Sequence, residues 1–307
     1  MTRETTRLSK DTTNAYARLR GEIANLDEEQ IATRDAMYNQ LLARRPEVAL
    51  RQHVVVPEGS DSASAAALIS PLSPSDPCAL HLFWTLEPAR QETILSDIRR
   101  VLENALEDAG HPEGLELRLD LGRAMEGLEP LLIELGWKRH GERKEFKTPV
   151  VELPTDWQGP LTWKSLDEVG LALAAAVLNR AGQGPDWEEE DDGKTLIESY
   201  LSSEELFCEP SCLEVGFDSA REPVAIVIAQ TAPADGWCTM TFMGIVEEAR
   251  GKGLGKWVHR RGFELLRQQG GESYHGGTSA TNEAMLALFR AHGCKPYLHL
   301  SVWKYRK

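Results

Sequence analysis

Val246-Glu247-Glu248-Ala249-Arg250-Gly251-Lys252-Gly253-Leu254-Gly255-Lys256 is the stretch on which the reading of the whole chain turns. Three glycines alternate with other residues, directly after an apolar run and directly before an amphipathic one. A pyrophosphate needs several backbone N–H groups aimed at one place with no β-carbons in the way, and a helix starting just beyond adds the positive end of its dipole. The stretch has that form and carries Arg250 and Lys252 as cationic side chains. Two other phosphate loops fail on detail. No Gly-x-Gly-x-x-Gly ends a first strand here, and within the stretch no Ser or Thr follows a Gly-Lys pair to hold magnesium. A tight turn without a ligand is the competing reading.

Hydrophobic periodicity on either side predicts an α/β order. Upstream of the loop it gives strands over 161–164, 212–218, 223–230 and 236–246, with helices over 167–179 and 195–201 and an acidic loop over 186–192. Downstream it gives a helix over 254–269, a strand over 273–278, a helix over 282–292 and a strand over 298–304. The first fifty residues read as helix, with Tyr16, Leu19, Ile23 and Leu26 at three-to-four spacing, until Pro46 ends the run. Strands over 52–56, 65–70 and 79–85 follow, then a helix over 89–109, a strand over 115–121, a helix over 124–135 and a strand over 143–146. Mixed strands and helices in this order predict a sheet with helices on both faces.

A chain of 307 residues suits two domains. Pro149, Pro154, Gly159 and Pro160 mark a linker, so the expected division is 1–148, a linker over 149–160, and 161–307. The halves also resemble each other. Leu86-Glu87-Pro88-Ala89-Arg90 falls against Val246-Glu247-Glu248-Ala249-Arg250, and Leu132-Ile133-Glu134-Leu135-Gly136-Trp137 against Phe289-Arg290-Ala291-His292-Gly293-Cys294, at nearly equal offsets. That pattern suggests a tandem duplication. The first copy has no glycines in its loop, reading Arg90-Gln91-Glu92-Thr93-Ile94-Leu95, and it puts Glu92 where an anion would sit.

Composition narrows the function. With 41% hydrophobic and 27% charged residues the chain can build packed cores. No segment approaches the roughly 18 apolar residues of a membrane helix, and the polar start has no apolar signal core; the expectation is a cytoplasmic protein without a membrane partner. A formal net charge of -14 argues against nucleic acid as a partner, because binding phosphates needs a concentrated basic surface. Five cysteines are few and odd in number, which suggests reduced thiols. Cys208 and Cys212 have no His or second Cys pair nearby in sequence, so no metal is expected.

The loop resembles that of the GNAT superfamily of acyl-CoA N-acyltransferases: Arg or Gln, two residues, Gly, one residue, then Gly or Ala, here Arg250, Gly253 and Gly255, with Gly251 as a frequent extra. Ile245-Val246-Glu247-Glu248-Ala249 is similar to the end of the family's fourth strand, with Glu248 where a Pro is common. Asn282, Met285, Leu288, Phe289 and Gly293 are similar to its second cofactor motif. The resemblance covers about 161–307. It implies an α/β protein of tandem GNAT-like domains, each a mixed, mostly antiparallel central sheet flanked by helices, the first copy being degenerate.

The same resemblance implies acetyl-CoA as acyl-donor co-substrate, no metal, and transfer of the acetyl group to the amine of an acceptor. Cofactor contacts are then expected at Ile245, Val246, Arg250, Gly251, Lys252, Gly253, Leu254, Gly255, Lys256, Asn282 and Phe289. In the family the fourth and fifth strands part and pantetheine pairs with backbone groups in the gap, here near Ile245 and Val246. Many relatives place a Tyr on the last helix as the acid for the departing thiolate; here Phe289 stands there. Tyr274 and His275 are the nearest titratable candidates for catalysis, and as strand neighbours they point to opposite faces, so at most one reaches the site. A packed aromatic and a hydrogen-bonded core histidine are the other readings of the pair. The identity of the acceptor, the length of the acyl chain and the oligomeric state stay open. A non-catalytic acyl-CoA-binding or sensing protein and an interaction protein are the rival functions.

Overall fold

The alternation that predicts strands is visible as burial. Of Ser273–Ser279, every second residue faces a core, and Ile94–Asp108 buries Ile94, Ile98, Val101, Leu102, Ala105 and Leu106 along one stripe. The computed structural model describes residues 3–5, 15, 18–19, 52–58, 60, 62–70, 79–85, 93–111, 113–123, 125–154, 158–182, 192–203, 206–232 and 236–306. Nearly all of the helix expected in the first fifty residues, Cys78, most of the acidic loop and the first three residues of the Arg90 to Leu95 stretch lie outside them.

The chain divides into two units, Met1–Gly141 with Leu300–Lys307, and Glu142–His299. In the first, β1 (Arg3–Thr5), β2 (Gln52–Val56), β3 (Ala65–Ser70) and β4 (Ala79–Trp84) pair antiparallel in sequence order. Helix α1 (Ile94–Asp108) then carries the chain to β5 (Glu116–Asp120), which lies parallel to β4. Parallel neighbours require such a crossover. Helix α2 (Leu128–Glu134) leads into β6 (Trp137–Pro149). A core of Ile98, Leu102, Leu117, Leu132, Trp137, Trp303 and Tyr305 fills this unit. Buried Asp97, on α1, accepts a 2.7 Å hydrogen bond from Ser64 Oγ.

The second unit repeats the order. After β7 (Thr162–Ser165) come helices α3 (Leu166–Val169), α4 (Leu171–Ala181) and α5 (Gly193–Ser202). Strands β8 (Leu213–Phe217), β9 (Pro223–Ala232) and β10 (Trp237–Ile245) pair antiparallel. Helix α6 (Gly255–Gln268) crosses to β11 (Ser273–Ser279), parallel to β10, and α7 (Glu283–Ala291) precedes β12 (Pro296–Tyr305). The near-continuous apolar run of β9 is buried on both faces, as Val224, Ile226, Val227 and Ile228 record. Arg261 on α6 holds Glu214 on β8 through two bonds of 2.6 and 2.7 Å, fixing helix to sheet.

Two expectations need correction. The helix predicted over 167–179 is two helices, split at Gly170, whose φ of 78° no helix accommodates. The division at 149–160 is displaced because the strand predicted over 143–146 runs from Trp137 to Pro149, and its residues from Arg143 onward pair with β11, Arg143 with Ser279 through Pro149 with Ser273. Val150 and Leu153 are buried in the second core, so the proline-rich stretch starts as packed chain and not as a linker. The last strand is handled reciprocally: Leu300 to Lys304 of β12 pairs antiparallel with β5 in the first unit.

Removing Leu300–Lys307 therefore takes Trp303 and Tyr305 out of the first core and bares the edge of β5. Hydrogen exchange is expected to show loss of protection in α1 and β5 while β9 and α6 keep theirs. Equal loss in both units would refute the assignment of this segment to the first.

Candidate active site

Strand β10 has β9 beside it along its whole length, from Trp237 opposite Ala232 to Ile245 opposite Ala225. Its parallel partner β11 stays with it for two positions only, Trp237 with Ser273 and Cys238 with Tyr274. Beyond them β11 continues beside β6 as far as Ser279, and residues 239–245 of β10 have no second strand partner among the described residues. The strands thus part and leave a wedge with backbone groups on its β10 side. Two groups expected to serve that edge are already engaged. Val246 N–H donates to Val224 C=O at 3.0 Å, and the Ile245 carbonyl accepts from Arg250 Nε at 3.0 Å.

A one-turn 3-10 helix, Glu247–Ala249, then turns the chain into the glycine loop. Gly251 and Gly253 have φ of 75° and 71°, and a Cβ added at either would meet nothing within 4 Å. The glycines therefore serve backbone conformation and an open surface, not close packing. None of the N–H groups of residues 251–256 has an acceptor among the described residues. Leu254 caps α6 with no side-chain bond, so the helix presents bare donors and the positive end of its dipole at the top of the wedge. An anion fits that cradle.

The cations in the loop do something else. Arg250 Nη2 donates to the Ala181 carbonyl at the end of α4, at 3.0 Å, and Lys252 Nζ donates to the Glu248 carbonyl at 3.0 Å. Exposed Lys256 lies over the Trp257 ring, 4.8 Å from its centre. Asn282 caps α7, its Oδ1 accepting from Met285 N–H at 3.1 Å. Phe289 is a core residue, 1% exposed and stacked on Phe146 at 4.1 Å.

Tyr274 and His275 point to opposite faces of β11. Tyr274 is 1% exposed, and burial holds its hydroxyl well above its ordinary pKa. His275 is half-buried on the other face, with Nε2 3.2 Å from Ser273 Oγ and its ring between Trp237 and Tyr297. Sequence reasoning missed the partners of Tyr274. His259, on α6, is fully buried, and its Nε2 lies 3.4 Å from Tyr274 Oη. Its Nδ1 lies 2.9 Å from Nδ1 of buried His292, just past the end of α7, whose Nε2 accepts from Arg260 Nε at 3.4 Å. Burial lowers both histidines, His292 to about 4 and His259 well below its ordinary value, with each also opposed by a neighbouring ring or cation. Nothing local in the sequence signals a pair 33 residues apart. Among the described residues no group of three His, Cys, Asp or Glu could hold a metal ion. Cys208, Cys238 and Cys294 are free, buried thiols pushed up to about 12. No described helix is long and apolar enough to cross a membrane.

An acyltransferase fold of this kind has known counterparts. Residues 179–294 match the Acetyltransferase (GNAT) family. A GCN5-related N-acetyltransferase from Sphaerobacter thermophilus superposes with a TM-score of 0.68 at 14% identity, over 99% of this chain and 94% of that one. A GCN5-related N-acetyltransferase from Kribbella flavida does so with a TM-score of 0.54 at 15% identity, over 80% and 87%. A tandem GNAT protein from the clavulanic acid biosynthesis pathway gives a TM-score of 0.50 at 12% identity, over 82% and 81%. At these identities the likeness is one of fold. No curated protein matches the chain. The protein carries a GNAT-family domain in its second half, within a tandem GNAT-like architecture.

Because both buried imidazoles bind protons less readily folded than unfolded, the unfolded chain holds more protons between about pH 4 and 6.5. Stability is therefore full above 6.5 and falls as the pH drops through that window. Thermal unfolding midpoints are expected to decline from pH 7 to 4.5, and to decline less in His292→Gln. Identical slopes would assign the acid lability to other groups.

Proposed function

We propose that the protein is an acetyl-CoA-dependent N-acetyltransferase that moves the acetyl group to the amine of an acceptor. The observation that carries this reading is the conjunction of the open, donor-bearing loop with the wedge between β10 and β11. Backbone N–H groups of Gly251, Lys252, Gly253, Leu254, Gly255 and Lys256 would hold the pyrophosphate. The free edge of β10 would pair with pantetheine as an added strand, over residues before Ile245, since Ile245 and Val246 already have partners. Asn282 would stand beside the cofactor while capping its helix, and Phe289 would back the site from the core. His275, the half-exposed titratable side chain on β11, would take the amine proton. The first copy would be degenerate and bind no CoA, because its loop sequence carries side chains and Glu92 in place of glycines. A net charge of -14 favours a neutral or cationic acceptor over nucleic acid.

A non-catalytic acyl-CoA-binding role is the second reading, favoured by the absence of a hydroxyl at Phe289. Release of free thiol from acetyl-CoA in a screen of acceptor amines separates the two. With an accepted amine, His275→Ala should lower kcat by about 10²- to 10⁴-fold with CoA affinity unchanged.

Calorimetry is expected to find one CoA per chain, and Gly253→Glu to weaken it at least ~100-fold, or about 2.7 kcal/mol. The variant should stay folded, since the added side chain meets open space and the left-handed backbone costs about 1–2 kcal/mol. Two equivalent sites would show that the first copy binds CoA as well, and unchanged affinity would reduce the loop to a turn.

A further inference from the structure

The outer face of β11, opposite the one that carries Tyr274, presents Ser273, His275, Gly277 and Ser279, all half-buried. Strand β6 runs antiparallel beside it, with Lys147 opposite His275, Glu145 opposite Gly277 and Arg143 opposite Ser279. Directly opposed residues share a face, so Glu145 stands on the side of His275. Its carboxylate does not lean out over β6. A Cβ added at Gly277 would collide with both carboxylate oxygens and with Cδ, so the group lies across β11 in space that only a glycine leaves. Gly277 is three residues past Tyr274, the last partner of β10. The carboxylate therefore sits beside the wedge, on its outer side.

Its partners are few. Oε1 accepts from Arg143 Nε at 3.2 Å, and Oε2 accepts no hydrogen bond among the described residues. The side chain is only 22% exposed. An anion largely withdrawn from water is costly unless donors surround it, and a single guanidinium nitrogen leaves most of its acceptor sites open. The other charged or titratable groups on this face are engaged elsewhere. Lys147 Nζ lies 5.6 Å from the centre of the Tyr297 ring, and His275 Nε2 is held at Ser273 Oγ. A cation arriving from outside the chain fits the open oxygen.

We propose that Glu145 binds a second, non-reacting ammonium group of the acceptor, so that the protein takes diamines in preference to monoamines. This rests on the reading of the wedge as the acyl-CoA site. A nitrogen must be unprotonated before its lone pair can attack, and a carboxylate beside an ammonium favours the charged form. Placed on the reacting nitrogen, Glu145 would hold it in its unreactive state. Placed on a second nitrogen, it orients the acceptor and leaves the reacting end free. His275, the base of that reading, lies two residues back along the same face, roughly 7 Å along the strand. A few methylene groups cover that span.

Calorimetry and thiol release on the full chain test it with linear diamines from diaminopropane to diaminohexane, each set against its monoamine. With CoA bound, at least one diamine should bind about 10- to 100-fold more tightly to the wild type than to Glu145→Gln, the range of a hydrogen bond to a charged group. The ratio of kcat/KM for that diamine over its monoamine should fall toward one in the variant. Retained CoA affinity reports that the variant is folded. Equal diamine binding by the two proteins, or none by a wild type that holds CoA, overturns the proposal and leaves the acyl-CoA site standing. Diamine binding that depends on Glu145 without thiol release supports the proposed contact and overturns the transferase reading alone. A wild type that binds no CoA overturns the site and the proposal with it.

Discussion

Two parallel strands that share only two residue pairs impose the main constraint on the second half of the molecule. Parallel neighbours normally continue together, because each exposed edge carries N–H and C=O groups that must find partners. Here β10 and β11 separate after Cys238 and Tyr274. Each is held on its outer side, β10 by β9 through to Ile245 and β11 by β6 through to Ser279. The sheet can afford the wedge because those outer ladders are complete. The crossover helix then has to start where β10 ends, which puts its bare N-terminal donors over the mouth of the opening.

The outer ladder of β11 explains an arrangement that composition alone misplaces. The strand beside it, β6, comes from the stretch before the prolines, while the last strand of the chain goes to β5. A boundary drawn at the proline-rich segment would cut β11 from its partner. Prolines mark the ends of elements, and Pro149 does end β6, but a strand end is not a domain end. What decides a boundary is where the backbone bonds and the apolar side chains go, and Val150 and Leu153 go into the second core.

Legibility followed the range of the interactions involved. Strands 52–56 and 65–70 and the helix that follows the glycine loop were readable because period and turn residues are local properties, and Gly170 went unread because a single glycine inside an Ala- and Leu-rich run is compatible with either one helix or two. The turn at the loop was legible for the same reason: 251–255 is contiguous, and its conformation depends on backbone alone. The side chains were not. Tyr274 and His275 were correctly seen to face opposite ways, yet which face is core depends on α6 and α7, and the His259–His292 pair exists only once those helices pack. Phe289 illustrates the same limit. Its ring belongs to the core through Phe146, a residue far away in sequence.

The basic side chains of the loop were read as attraction for an anion, and their geometry gives them a different part. Arg250 spends Nε on the Ile245 carbonyl and Nη2 on that of Ala181, the last residue of α4, where the helix dipole is negative. Lys252 spends its ammonium on the Glu248 carbonyl. Both thus satisfy carbonyl oxygens and pin the loop to the end of β10. Exposed Glu247 and Glu248 stand beside them, in a chain of net charge -14, so side-chain charge near the loop does not by itself favour an anion. Any preference for an anion would come from the backbone: six N–H groups without acceptors among the described residues, two glycines at positive φ, and the dipole of α6 behind them. A loop that bound an anion in this way would depend on its conformation more than on its charge, and the bonds from Arg250 to the Ile245 and Ala181 carbonyls hold that conformation.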